Sequence, residues 1–384
     1  MRILYIAHKT PFPIADGGCF AMMQLVKSLH HEATVDALIF DTHKHPFTAA
    51  TKAELSNYCA VIHPLKIATE IKPIAAIVAL LRNKSYNLSR FCSTELKSFL
   101  EQNQAKYDAI ICDGLYAAAQ YSSIDNGNSK LIIRTHNVEH QIWEQQARFE
   151  KSLLKHFYLK RLARTLRNEE LALLNKAAAV WTISEADETD LKNKIKTPIT
   201  TIPISINAPS YDVDYAVNQC FHLGSMNWKP NKDAVDFLIQ AVWNKNNDLP
   251  PLVIGGSFIS TNSFTNLPSN CSVIGSVDDA LAFIAKNGIL VSPIQSGSGI
   301  RVKLLEALSL GVPIITTAIG ASGIDVATAG IIIAETAEEF TQAIIGIAND
   351  EQQKKAIGVK GKAYINSQHQ FEAITLKISK ALGK

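Results

Sequence analysis

Short apolar runs, each bounded by glycine, proline or polar residues, recur along the chain and read as buried strands. In the first half they lie at residues 2–7, Thr34–Phe40, Ala60–Pro64, Ala109–Cys112, Lys130–Thr135 and Ala178–Ile183. Between most of them the apolar spacing turns helical, as at Cys19–Leu29, and this alternation predicts a parallel, doubly wound sheet. Thr201-Ile202-Pro203-Ile204 closes that half. The polar, proline-containing stretch at 208–216 then reads as a linker. Strand-like runs resume at Cys220–Gly224, Leu252–Gly256, Ser272–Val277, Ile289–Val291, Val312–Ile315 and Ile331–Ile333. Helical patterns lie at Ala234–Val242, Glu338–Ala348 and Gln352–Ile365, with an amphipathic one at Phe371–Leu382. The expected fold class is α/β, with two Rossmann-like doubly wound domains at 1–207 and 217–365 and a terminal segment at 366–384. A chain of 384 residues is too long for one ordinary domain, which agrees.

Composition changes this picture little. At 47% hydrophobic and 19% charged the chain is globular, and a net charge of +3 gives no ground for a nucleic-acid partner. The six cysteines are scattered without C-x-x-C or metal-ligand spacing, which favours free thiols in a reducing cytoplasm. Met-Arg leads directly into the first strand, so no signal peptide is read. The longest apolar stretch, Ile74–Leu81, falls far short of the roughly 18 residues a membrane span needs. Residues 148–167 hold seven Lys/Arg against one acid, Glu150. Helical spacing spreads these cations over two faces, which favours a solvated helix over a surface held against anionic lipid headgroups or a lipid-diphosphate acceptor.

The stretch with the most chemistry runs from Gly288 to Thr317. A strand, the loop Ser296-Gly297-Ser298-Gly299, a helix ended by Gly311 and a second strand form a βαβ-type unit, whose loop offers backbone N–H groups at a helix N-terminus. Arg301 and Lys303 read as part of the first turn, where a cation costs roughly 0.3–1 kcal/mol unless an anion docks there. Glu306 interrupts the apolar run Leu304–Leu308 and needs hydrogen-bond partners, which ribose hydroxyls would supply. Alternatively, Lys303 and Glu306 form a plain i,i+3 pair. The loop lacks the third glycine of G-x-G-x-x-G, and Lys303 is not followed by Ser or Thr. Two strand ends in the first half add candidates. Gly17-Gly18 open a helix after the first strand, as a tight turn or as a ligand crevice, and His136-Asn137 follow the strand ending at Thr135.

The segment PIQSGSGIRVKLLEALSLGVPIITT resembles the donor-binding segment of GT-B-fold glycosyltransferases, in particular the retaining family 4, the glycosyl transferases group 1. The resemblance implies two Rossmann-like domains facing a cleft, with the donor held by the second and the acceptor by the first. Glu306 matches the second Glu of the family's Glu-x7-Glu motif, which holds the ribose, while Ser298 stands where the first Glu is expected. Gly297, Ser298, Gly299 and Ile300 fall in the donor loop. RTHNVE resembles the family's strand-end histidine, which would bring His136 to the transferred sugar. Gly17 and Gly18 would approach the donor phosphates or the acceptor. Gly224 matches the glycine after which the family carries Arg, here Ser225. Lys229 and Lys232 are candidates for the family's lysine, so part of the phosphate grip is assigned to Arg301 and Lys303. Gly275, Ser276 and Val277 resemble the stretch that faces the base.

The implied reaction is retaining transfer of a sugar from a nucleotide-diphosphate sugar to an acceptor hydroxyl, in cell-surface polysaccharide or glycolipid synthesis. The nucleotide sugar is then a co-substrate, and no other cofactor is expected. Metal independence is expected on the reading that no Asp-x-Asp triplet is present to hold a divalent ion between phosphates. The partners implied are a nucleotide sugar and a glycan or lipid-linked acceptor, with no nucleic acid, and the location is cytoplasmic with peripheral contact at the inner membrane face. A nucleotide-sugar epimerase of the same architecture and a non-catalytic nucleotide-sugar binder remain alternatives.

Overall fold

A computed structural model describes the chain except for residues 126, 128, 208–210, 261–263, 265, 266 and 298 and the side chain of Phe149. The chain divides into two compact units, Met1–Ser205 with Glu372–Lys384, and Ile206–Phe371.

The first unit is built on strands β1 (Arg2–Ala7), β2 (Thr34–Asp41), β3 (Val61–Lys66), β4 (Ala109–Asp113), β5 (Lys130–Thr135), β6 (Ala179–Thr182) and β7 (Ile199–Thr201). They pair in the order β3-β2-β1-β4-β5-β6-β7, every pair parallel. Such a sheet is covered on both faces, and β1 shows why its residues are apolar without alternation. Leu4 and Ile6 pack on one face with Ile110 and Ile133, while Ile3, Tyr5 and Ala7 pack on the other with Ile111 and Ile132. The second face also takes Ile374, Ile378 and Leu382, so the helix Phe371–Leu382 belongs to the core of the first unit. Strand order reverses between β1 and β4, the position where open α/β sheets bind ligands beyond their carboxyl ends.

The second unit repeats the plan with β8 (Cys220–Leu223), β9 (Leu252–Gly255), β10 (Cys271–Gly275), β11 (Ile289–Ser292), β12 (Ile314–Thr316) and β13 (Ile332–Ile333). Their order is β10-β9-β8-β11-β12-β13, again parallel throughout, with the reversal between β8 and β11. At the exits of β8 and β9 the two chains nearly touch. A Cβ on Gly256, whose φ is +143°, would sit 1.9 Å from the Gly224 carbonyl oxygen, so only glycine fits.

Three elements differ from the sequence reading. The helix expected at Ala234–Val242 spans Lys229–Phe237 and continues as a π turn at Leu238–Val242. Pro230 takes its first turn, where a missing N–H costs nothing. The basic stretch 148–167 is not one helix, because the helix Glu139–Phe149 ends and Leu153–Lys176 begins within it. The strand Ile199–Thr201 extends the sheet beside β6, where the sequence reading had only a closing segment.

Candidate functional site

In the second unit, the loop after β11 delivers two glycines in left-handed backbone, Gly297 (φ +104°) and Gly299 (φ +80°), just before the helix Val302–Leu310. Arg301 is the N-cap residue of this helix, in extended conformation and without a side-chain cap bond, rather than a first-turn residue as read from the sequence. Its guanidinium lies over the Trp228 ring at 5.2 Å, and Nη1 donates to Gly299 O at 3.0 Å. A Cβ on Gly297 would meet Arg301 Nη2 at 3.0 Å and Trp228 Cζ2 at 3.2 Å, so the loop closes directly on the stacked pair. Arg301 is buried, and burial lowers its pKa to about 10, which leaves it cationic at neutral pH.

Lys303 occupies the first turn and turns toward the end of β8. Its Nζ donates to Leu223 O at 3.0 Å and to Asn231 Oδ1 at 3.1 Å, so the i,i+3 pair with Glu306 is not formed. Burial, reinforced by the neighbouring Arg301 cation, brings the ammonium down to about 7. Asn231 donates in turn to Ser225 O at 3.1 Å. It lies so close beneath Gly224 that a Cβ there would be 2.5 Å from Asn231 Nδ2. Glu306 is half-buried on the same helix, and its carboxylate meets no hydrogen-bond partner among the described residues. Burial lifts its pKa to about 7.

The remaining assignments in this unit divide. Gly224, Gly297, Gly299, Arg301 and Lys303 converge at the carboxyl ends of β8 and β11. Ile300 is half-buried in the same loop, and Ser298 lies outside the described residues. Lys229 is exposed and holds Asp233 at 2.5 Å across one helix turn, and Lys232 is exposed as well. Gly275 (φ +82°) ends β10, with Ser276 exposed. Val277 Cγ2 sits 2.8 Å from where a Gly255 Cβ would be, which packs the β10 exit against β9. Ser225 closes a small hydroxyl chain, donating to Asn227 Oδ1 at 2.7 Å and accepting from Ser257 at 2.8 Å.

In the first unit the strand ends gather a second cluster. His136 Nε2 is 2.5 Å from Asp113 Oδ1. Asp113 also accepts from Arg134 Nη1 at 3.2 Å and from Tyr5 OH at 2.8 Å. Burial alone would raise the Asp113 carboxyl, but His136 and Arg134 outweigh it and hold it well below the usual carboxylate range. His8, at the end of β1, places Nδ1 2.9 Å from Asp113 O and its ring 6.2 Å from that of His136. Burial, then Lys9 and His136, lower His8 to about 3, so it is a neutral imidazole. Beside it, Glu139 accepts from Tyr116 OH at 2.8 Å, and burial together with Glu170 raises its pKa to about 7.

Asp113 and Glu139 escaped the sequence reading. Asp113 was cut off one residue beyond the expected strand, and Glu139 was quoted within RTHNVE without a role. Gly17 and Gly18 form the first turn of the helix Gly17–Glu32 behind the N-cap Asp16. Neither has positive φ, so the turn does not need glycine for its dihedrals. What it needs is room, since a Cβ on Gly18 would meet Lys9 Nζ at 3.0 Å and Asp16 Oδ1 at 3.2 Å. Burial would raise Asp16, yet the Lys9 ion pair at 2.7 Å and the Cys19 N–H bring it to about 2.

The premise behind the metal expectation needs correction. Asp212-Val213-Asp214 does have Asp-x-Asp spacing. Both carboxylates are exposed, and Asp214 accepts from the Ala216 N–H at 2.9 Å, a local turn. Among the described residues no group of three His, Cys, Asp or Glu is arranged to hold a metal ion.

Comparison with known proteins places this geometry. Over its whole length the chain is similar to Anabaena HepE solved with UDP, at 14% identity and a TM-score of 0.67, covering 100% of this chain and 99% of that one. It is likewise similar to a Staphylococcus aureus TarM variant, at 12% identity and TM-score 0.69, covering 100% of both. These likenesses show the fold, two Rossmann-like domains of the GT-B class. A Klebsiella pneumoniae protein of 44.6 kDa from a cps region, itself uncharacterized, is 20% identical over 410 residues, 99% of each chain. Residues 218–350, the segment that carries Gly224, Gly297, Arg301, Lys303 and Glu306, match the family Glycosyl transferases group 1.

Proposed function

We propose that the chain is a glycosyltransferase that moves a sugar from a nucleotide-diphosphate sugar to an acceptor hydroxyl. The observation that carries this reading is Lys303, a largely desolvated cation whose two partners, Leu223 O and Asn231 Oδ1, are both neutral. Burying a cation without an acid is costly, which suits a site whose anion arrives with the ligand. Beside it stand Arg301, held over the Trp228 ring, and the N–H groups of a glycine-rich helix entrance.

In this reading Arg301 and Lys303 neutralise the diphosphate as the sugar leaves it, the main electrostatic task of the step. Glu306 accepts from ribose hydroxyls. His136, fixed by Asp113, faces the transferred sugar. Transfer retains the anomeric configuration and needs no metal. HepE, solved with UDP and with UDP-glucose, supports a uridine donor, and TarM, solved with UDP, α-GlcNAc-glycerol and fondaparinux, supports a glycan acceptor. A role in cell-surface polysaccharide or glycolipid synthesis, at the cytoplasmic side of the membrane, is consistent with the cps-region relative.

A thermal-shift panel of UDP, GDP, ADP, dTDP and CMP tests the site. One nucleoside diphosphate is expected to stabilise the protein, and release of that diphosphate from its sugar donor in the presence of acceptor establishes transfer. No response to any member of the panel refutes the reading. The Glu139 carboxyl, poised near 7, favours one rival, epimerisation of the sugar on its nucleotide, which requires such a group. Recovery of an epimeric nucleotide sugar without acceptor decides for it.

A further inference from the structure

The helix Pro73–Leu81 in the first unit is turned inside out. Its large apolar residues Ile74, Ile77, Val78 and Leu81 fall at i, i+3, i+4 and i+7, one stripe of a helix, and that stripe faces solvent, with Ile74 79% and Leu81 80% exposed. The face turned toward the protein carries the small residues Ala76 and Ala79 with half-buried Leu80. Ala76 and Ala79 pack against Tyr86, Tyr158, Leu159 and Leu162, which joins this helix to the start of Leu153–Lys176. That second helix opens with a further apolar group, Leu153 and Leu154, each 86% exposed, and Phe157 one turn on. Monomeric proteins rarely leave so many large apolar side chains together in water.

The charge around the pair is predominantly cationic, with Glu70 and Glu150 as the acids next to it in sequence. Lys72, Arg82 and Lys84 flank the first stripe. Residues 151–167 hold six cations and no acid, with Lys151 and Lys155 interleaved with Leu153, Leu154 and Phe157. Of the nearby acids, Glu169 is already engaged by Lys84 at 3.8 Å. Most of these cations are exposed, as the reading of a solvated helix expects, and exposed apolar side chains stand among them. An apolar stripe with a cationic border matches an anionic bilayer surface, where hydrocarbon takes the stripe and headgroups take the cations. A second copy of the chain fits poorly, because a two-fold contact would set one cationic border against another. The helices lie on the surface, since no helix among the described residues is long and apolar enough to cross a membrane.

We infer that the helix pair Pro73–Leu81 and Leu153–Phe157, with its cationic border, docks the first unit onto an anionic lipid bilayer. This does not rest on the reaction proposed above. The test is co-sedimentation of the full chain with vesicles of phosphatidylcholine alone and of phosphatidylcholine mixed with phosphatidylglycerol. The chain is expected to pellet with the mixed vesicles, and less so at high salt. The double substitution Ile74→Glu/Leu81→Glu is expected to weaken binding about tenfold or more at unchanged melting temperature. Lys151→Glu/Lys155→Glu is expected to remove the preference for anionic lipid, and Leu153→Glu/Phe157→Glu serves as an independent check on the apolar part. Failure of the wild-type chain to bind mixed vesicles overturns the inference. So does equal binding by the Glu variants, or a wild-type dimer in sedimentation velocity that Ile74→Glu/Leu81→Glu converts to monomer. Nucleotide binding, measured separately, is expected to be the same in all of these variants, so the lipid surface and the donor site fail or stand independently.

Discussion

His136 Nε2 and Asp113 Oδ1 stand 2.5 Å apart at the ends of neighbouring strands, with Arg134 and Tyr5 holding the same carboxylate from within the sheet. Asp113 is therefore both an orienting group for His136 and the counter-ion of a buried arginine. Asp113→Asn is expected to leave Arg134 without its charge partner and to cost about 3–5 kcal/mol at neutral pH. The sign with pH follows from its depressed pKa. Stability owed to Asp113 is present above the unfolded-state value of about 3.9 and is lost as pH falls below it. Urea unfolding at neutral and acid pH checks this, since the gap between wild type and variant should narrow in acid.

Glu306 makes the opposite case. Its carboxyl is raised to about 7 by burial, so ionising it opposes folding, and stability is lost as pH rises toward 7 from the unfolded value. Glu306→Gln is expected to melt higher than the wild type at pH above about 7, by an amount on the order of 1 kcal/mol or more in stability. In the presence of the cognate nucleoside diphosphate the order is expected to reverse, because the amide replaces a carboxylate acceptor with a weaker one. Unchanged calorimetric affinity would remove Glu306 from the ribose site.

Both doubly wound sheets were legible because their strands are buried on two faces and so announce themselves as unbroken apolar runs between glycines and prolines. The strand ends at Leu223, Ser292 and Thr135 could be found the same way. What escaped is set by side-chain direction. Nothing in the spacing of Lys303 and Glu306 says that the ammonium turns back to Leu223 and Asn231, whereas the i,i+4 spacing of Lys229 and Asp233 does announce their pair. Asp113 was missed because a buried acid at a strand end looks like the turn residue that follows one. The apolar run Ile74–Leu81 was weighed as a membrane span and found too short. Its reversed orientation could appear only once Ala76 and Ala79 were seen to face the protein.

The metal question now depends on side chains rather than on a missing motif. With Arg301 and Lys303 as the charge partners of the diphosphate, turnover with the cognate donor is expected to survive excess EDTA. Loss of activity that Mg²⁺ or Mn²⁺ restores would show that these two cations do not suffice, and would direct attention to Asp212 and Asp214.

The diphosphate grip itself can be read through protons. Lys303 rests at about 7, lowered first by burial and then by Arg301, so near neutral pH it is only partly charged before a ligand binds. A diphosphate of roughly two negative charges beside it favours the ammonium, so binding should draw a proton from solvent at pH above about 7. Calorimetry in buffers of different ionisation enthalpy measures that uptake directly. Lys303→Ala is expected to abolish it and to weaken nucleoside diphosphate binding about tenfold, while barely changing the bare nucleoside. Arg301→Ala is expected to weaken the diphosphate at least as much, but to leave part of the proton uptake, because Arg301 stays cationic throughout. Removing it also relieves Lys303 of a neighbouring charge, so the pH above which uptake begins should move upward. Proton uptake that persists in Lys303→Ala would instead assign the titration to Glu306, and would leave Lys303 as a structural tie between β8 and the helix Val302–Leu310.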